Sequence, residues 1–310
     1  MKRKLTANEL EGWLDNVRPF ARDGKVADYI PVLGRQDPEE LAVAIYFMNG
    51  EVVHAGQSDT CFTLQSISKV IALALALLDN GEEYVFNRVG MEPSGDPFHS
   101  IYRLEQHRPS KPLNPMINAG ALVVSHMIHG ETPEEKVGRL LSLIHDMTAD
   151  HSIVYNKEVA SSEFETAFLN RALLFYMKQH KVVTGSVEET LDAYTKQCSI
   201  EVNVKHLARI GAIFANEGKD LETGRRILPR HLARICKTFM VTCGMYDASG
   251  SFAIKVGIPA KSGVSGAVLG SVNGFGGIGV YGPSLDEKGN SVVGLKLLEI
   301  LSNRYDLSIF

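Results

Sequence analysis

Two hydrophobic periodicities run through this chain, and they occupy different stretches of it. Near the start, "LAVAIYFMNGEVVHAG" reads as two β-rich runs joined by Asn49-Gly50, the strongest short-range hairpin signal. From about Ser66 to Glu217 the pattern is helical, in "SKVIALALALLDNG", "NAGALVVSHMIHG", "TPEEKVGRLLSLIHDM", "FETAFLNRALLFYMKQH", "SVEETLDAYTKQC" and "NVKHLARIGAIFANEG". Thr132-Pro133 opens one of these helices, and Gly81, Gly130 and Gly218 are placed to close others. After Ser249 the character turns to glycine and β-branched residues in "SFAIKVGIPAKSGVSGAVLGSVNGFGGIGVYGPSL", expected as several short strands, with a last helix from Ser291 to Ser302. Strands at both ends with helices between them predict an α+β fold. The N- and C-terminal strands pair in one antiparallel sheet, and the large helical segment is inserted beside it, with a cleft between the two parts. No repeat or Pro/Ser-rich linker interrupts the 310 residues, so one domain over 1–310 is expected, with a sheet part over about 20–60 and 245–310 and a helical part over about 65–220.

Composition closes off several function classes. Hydrophobic residues make up 45% and charged residues 22%, the balance of an ordinary globular protein. A net charge of −4 offers no basic face, so neither nucleic acid nor an anionic membrane is an expected partner. The start "MKRKLTANEL" is basic, but the amphipathic series Leu10, Leu14, Val17 follows in place of a signal peptide's apolar core, which predicts a cytoplasmic location. The longest apolar run, Val70 to Leu78, is far short of the ~20 residues a membrane span requires. Cys61, Cys198, Cys236 and Cys243 lack metal or disulfide spacing and are expected as reduced thiols.

The chemistry begins where the long apolar run begins. Ser66 and Lys69 are three positions apart, hence on one face of a helix. A serine hydroxyl becomes a useful nucleophile when a neighbour takes its proton, and a lysine does this once burial lowers its pKa. The apolar residues after Lys69 provide such surroundings, and free backbone N–H groups in the first helical turn suit an oxyanion. A capping serine followed by a snorkelling lysine writes the same four letters. The decision turns on Lys261-Ser262-Gly263, a K-[TS]-G triplet on an expected strand, which serine acyl-transfer enzymes combine with S-x-x-K.

With those two motifs the chain resembles the bacterial glutaminases that share the serine β-lactamase-like fold. The resemblance is carried by "GKVADYIP", "QSISK", "NPMINAGAL", "CSIEV", "CGMYDASG", "IPAKSGVSG" and "LDEKGNSV", spread over nearly the whole chain in the family's order. It implies hydrolysis of L-glutamine to L-glutamate and ammonia, with no cofactor and no metal. It also implies Ser66 as nucleophile, Lys69 as proton acceptor and Tyr246 as a proton relay to the departing ammonia. Backbone N–H groups of Ser66 and Val264 would form the oxyanion hole. A glutamine site needs an acceptor for the ammonium and donors for the carboxylate. By resemblance Glu163 serves the ammonium, Asn118, Asn170 and Tyr194 hold the amino-acid end, and Tyr29 and Gln65 line the pocket. The family also implies a homodimer or homotetramer.

Other motifs lead elsewhere. "GFGGIG", Gly274 to Gly279, spells a dinucleotide fingerprint but is followed by strand-like sequence, so a glycine-rich strand and turn is expected. His126 and His129 lack a third metal ligand. A β-lactam-acting hydrolase, or a β-lactam-sensing module that keeps the serine without turnover, would want S-x-N before the K-[TS]-G triplet. Here Ser271-Val272-Asn273 comes after Lys261.

Overall fold

Both ends of the chain meet in a single sheet. The computed structural model describes residues 5–95, 100, 104 and 111–310. Strands β1 (Ala42–Phe47) and β2 (Val52–Gly56) form the hairpin expected at Asn49-Gly50, where Gly50 takes φ +85°. β1 then pairs with the last strand of the C-terminal set, β5 (Ala260–Ser262), β6 (Ala267–Val272) and β7 (Gly276–Tyr281). The order is β2-β1-β7-β6-β5, every neighbour antiparallel, as the two end patterns predicted.

Apart from edge strand β2, whose Val52, His54 and Gly56 are exposed, the sheet is buried on both faces, which is why its other strands read as near-continuous apolar runs. Along β1, Val43 and Ile45 face a core shared with Leu10, Leu14 and Val17 of helix α1 (Ala7–Val17) and Leu297, Leu298 and Leu301 of helix Val292–Tyr305. Ala42, Ala44 and Tyr46 face the opposite core, which holds the helices of the middle segment. On that side, helix Val204–Ala215 presses directly on the sheet backbone. A β-carbon at Gly277 would stand 1.9 Å from Ala208 O, and one at Gly279 would stand 2.2 Å from Val204 O. Gly277 and Gly279 of "GFGGIG" therefore serve helix-to-sheet packing, while Gly276 lets the Tyr46 backbone approach.

The S-x-x-K motif, Ser66 to Lys69, lies where two local structures join. β3 (Phe62–Thr63) pairs with β4 (Glu201–Val202), a ribbon the sequence pattern does not announce, and Leu64 N donates to Ile200 O at 2.8 Å. This delivers the chain to a single 3₁₀ turn, Gln65–Ile67, from which helix α2 (Ser68–Arg88) departs. Ser66 thus sits one turn before the α-helix proper. Residues Val70 to Leu77 are buried, and Gly81 breaks the helix at φ 79°, ψ 165°.

The middle segment continues with α3 (Asn118–Met127), α4 (Pro133–Thr148), α5 (Lys157–Thr166), α6 (Phe168–Gln179), α7 (Val187–Cys198) and α8 (Val204–Ala215). Thr132 caps α4 through the Glu135 N–H, and Gly130 and Gly218 adopt φ +145° and +85° after α3 and α8. Two features depart from the sequence reading. Helix α9 (Arg230–Cys243) was not anticipated, and "SGSFAIK" folds as helix α10 (Ser249–Lys255) where strand was expected. Helix Val292–Tyr305, α11, is capped by Ser291, close to the expected start.

Candidate active site

A cavity of about 360 Å³ opens between the middle helices and the sheet, lined by Tyr29, Ile30, Gln65, Ser66, Asn118, Glu163, Thr166, Ala167, Leu169, Asn170, Tyr194 and Val264. Eight of the ten predicted site residues are in that wall. Lys69 and Tyr246 lie behind it.

Lys69 is only 1% exposed. Its Nζ donates to Asn118 Oδ1 at 2.7 Å and to Met116 O at 3.2 Å. Desolvation lowers its pKa from 10.5 to about 8, against the opposing influence of Cys198 and Glu163. A neutral amine has two N–H bonds and one lone pair. With both N–H groups directed at Asn118 and Met116, the lone pair is left for a third partner.

Asn118 begins α3, and its side chain links two parts of the site. While Oδ1 accepts from Lys69, Nδ2 donates to Asn170 Oδ1 at 3.1 Å. Glu163, near the end of α5, is buried, and among the described residues no cation is in hydrogen-bond contact with it. Burial pushes its carboxyl up to about 7, although the Gln65 amide at 3.5 Å and the charge of Lys69 pull the other way. Tyr194 forms a further wall, its phenol raised by desolvation first and then by Cys198 and Glu163. Tyr29 is at the mouth, 57% exposed.

Tyr246 approaches Ser66 from the sheet side. Burial raises its phenol, and the Ser66 side-chain hydroxyl, its hydrogen-bond partner, opposes that shift. Lys261, 0% exposed, stands with Nζ 4.5 Å from the centre of the Tyr246 ring and donates to Ser262 O at 2.6 Å. Desolvation, then the nearby Lys69 charge, holds Lys261 well below the ordinary lysine value. The backbone of the K-S-G strand end abuts the chain entering the Gln65–Ile67 turn, since a β-carbon on Gly263 would lie 2.6 Å from Leu64 O. Val264, the next residue, lines the same cavity as Ser66.

Gln65 and Tyr246 both hold positive φ, 47° and 53°, without being glycine. Such conformations cost on the order of 1–3 kcal/mol each and concentrate at functional sites.

Comparison with known proteins settles the family. The Glutaminase family model matches residues 24–310. The chain belongs to the Glutaminase family. It is 64% identical to glutaminase 1 of Halalkalibacterium halodurans over 293 residues, covering 94% of this chain and 95% of that one. It is 58% identical to the glutaminase of Geobacillus thermodenitrificans over 302 residues, covering 97% and 98%. The Bacillus subtilis glutaminase YbgJ, solved in covalent complex with 5-oxo-L-norleucine formed by reaction with 6-diazo-5-oxo-L-norleucine, superposes with a TM-score of 0.90 at 39% identity, covering 98% of this chain and 99% of that one.

In this glutaminase-family chain four cavity residues were missed by sequence reasoning: Ile30, Thr166, Ala167 and Leu169. Three are apolar and the Thr166 hydroxyl donates to Ser162 O at 2.9 Å, so only the spacing of Thr166 to Asn170 around a helix junction hints at a shared wall. The Lys261 side chain was also passed over, because its triplet drew attention to backbone donors. Among the described residues no group of His, Cys, Asp and Glu is arranged to hold a metal ion, and no helix is long and apolar enough to cross a membrane. His126 accepts from Thr184 N through Nε2 at 3.3 Å, a structural contact.

Proposed function

We propose that this chain hydrolyses L-glutamine to L-glutamate and ammonia through an acyl-enzyme on Ser66. The observation that carries the reading is the buried Lys69. Its N–H bonds are occupied by Asn118 and Met116, and its pKa is about 8, next to a cavity whose floor contains Ser66.

Ser66 Oγ attacks the side-chain amide carbon while its proton passes to Lys69. The oxyanion is met by the N–H groups of Ser66 and Val264. As the C–N bond breaks, the departing nitrogen receives a proton, with Tyr246 relaying it from Lys69, and ammonia leaves. Water then attacks the ester, gives its proton to Lys69, and Ser66 departs with that proton restored. Glu163 holds the α-ammonium, and Asn118, Asn170 and Tyr194 hold the amino-acid end, with Gln65 and Tyr29 closing the pocket. A buried carboxylate with no cation in contact among the described residues is suited to one supplied by the ligand.

The same reading treats 1–310 as one catalytic domain of the serine β-lactamase-like kind, acting in the cytoplasm as a homodimer or homotetramer. In support, the cavity draws residues from both the helical and the sheet part, and Asn118 gives Lys69 the asparagine partner that no S-x-N element supplies.

The test is ammonia release from L-glutamine by purified protein, with L-asparagine and a chromogenic cephalosporin beside it and Ser66→Ala as control. Release from glutamine that vanishes in the variant supports both substrate and nucleophile. Cleavage of the cephalosporin alone would move the assignment to a β-lactam-acting enzyme. A stable penicillin adduct on Ser66 without turnover would move it to a sensor.

A further inference from the structure

The same local arrangement occurs on both sides of the catalytic centre. In each case a residue with left-handed backbone opens a three-residue 3₁₀ turn, and a serine three positions later opens an α-helix. On one side this is Gln65-Ser66-Ile67-Ser68, with Gln65 at φ 47°. On the other it is Tyr246-Asp247-Ala248-Ser249, with Tyr246 at φ 53°.

In both, the serine hydroxyl returns to the carbonyl of the left-handed residue. Ser68 Oγ donates to Gln65 O at 2.7 Å, and Ser249 Oγ donates to Tyr246 O at 2.9 Å. Both serines are buried. Each is held in turn by another donor. Ser68 Oγ accepts from Gln197 Nε2 at 3.2 Å, and Gln197 Oε1 accepts from Ser125 Oγ at 2.9 Å. Ser249 Oγ accepts from Met245 N at 3.1 Å.

A β-carbon in the left-handed region is disfavoured, so these backbones persist only where contacts over-determine them. The first clamp fixes the peptide that leads into Ser66, and the second fixes the residue whose phenol faces Ser66. We infer that Ser68 and Ser249 are paired positioning residues, which hold the nucleophile and the Tyr246 phenol in mutual register by tying down the strained carbonyls beside them. Neither serine is in the cavity wall, and the inference rests on the acyl-enzyme reading above.

The experiment compares wild type, Ser68→Ala, Ser249→Ala, Ser249→Thr and Gln197→Leu. For each, kcat and KM for glutamine are normalised to active sites titrated with 6-diazo-5-oxo-L-norleucine, and a melting curve is recorded. A displaced nucleophile or relay loses rate far more than binding, so both alanine variants are expected to lose about 10- to 100-fold in kcat with KM within about twofold. Ser249→Thr keeps the hydroxyl and should recover most of the rate. Gln197→Leu, which leaves Ser68 in place without its donor, should lose about 3- to 10-fold, and it decides the first clamp if Ser68→Ala does not fold. Wild-type kcat per titrated site in the alanine variants, whatever their melting temperature, would overturn the inference. So would a change confined to KM. Activity surviving in Ser66→Ala would instead defeat the acyl-enzyme reading on which the inference stands.

Discussion

If Lys69 takes the proton of Ser66, the rate at saturating glutamine follows the neutral fraction of one buried amine. With a pKa of about 8, roughly a quarter of Lys69 is neutral at pH 7.5, whereas at the ordinary 10.5 only about 0.1% would be. The difference is about 200-fold, or ~3 kcal/mol of barrier, and desolvation of Lys69 is its largest cause. The active form lies above the pKa, so kcat should fall about tenfold per unit as pH drops below about 8 and should level off above it. On the proposed reading Glu163 adds a second ionisation, since its carboxylate would be the form that receives an ammonium, and burial raises its pKa to about 7. In kcat/KM, which reports the free enzyme, the slope should therefore steepen below about 7. In kcat it should not, because bound ammonium keeps Glu163 ionised. The assay is coupled glutamate detection from about pH 5.5 to 9.5 at fixed ionic strength, with kcat and kcat/KM fitted separately. A kcat that is flat between pH 6 and 9 would refute Lys69 as the base. So would more than a few per cent of wild-type rate in Lys69→Arg, whose guanidinium stays protonated.

Glu163→Gln should raise KM about 100-fold, the scale of a lost charge-assisted contact in a buried site, and shift the kcat limb to lower pH, since the carboxylate helps hold the Lys69 pKa up. An unchanged KM, or a limb moving upward, would contradict both roles. Lys69→Met should abolish turnover yet raise the melting temperature, because exchanging a desolvated amine for an apolar chain of similar size gains about 1–4 kcal/mol; a lower melting temperature would show that the Asn118 and Met116 bonds outweigh desolvation. Gly277→Ala should lower stability by more than about 3 kcal/mol in urea unfolding, because its β-carbon would stand 1.9 Å from Ala208 O; a stable variant would mean that the Val204–Ala215 helix can slide on the sheet.

What was legible in the sequence was what repeats. Val43, Ile45, Val268 and Val280 are buried, and strands covered on both faces leave apolar runs that no solvated loop would show. The helix Arg230–Cys243 was equally legible in principle, since Leu232, Ala233, Cys236, Phe239, Met240 and Cys243 recur at helical spacing; its buried cysteines and intervening charges made the stripe easy to pass over. Helix Ser249–Lys255 is a different kind of miss. "SFAIK" has strand composition, and what makes it helical is the turn before it, opened by a left-handed Tyr246 and tied by Ser249.

The same limit applies inside the site. Ser66 and Lys69 are three positions apart and carry reactive groups, so their spacing nominates them and the Lys261-Ser262-Gly263 triplet supports the choice. Glu163, Asn170 and Tyr194 came only through resemblance, because nothing local separates a buried carboxylate from a solvated one. Gln65 is the extreme case. Glycine at a left-handed position announces itself, but a glutamine at φ 47° does not. Its conformation is held by Ser68, which is held by Gln197, 129 residues further along the chain. Strain maintained by partners so distant leaves no periodicity and no motif behind. The residues that sharpen a site can therefore be the least visible in its sequence, and they appear once the backbone angles are known and the contacts holding them are traced outward.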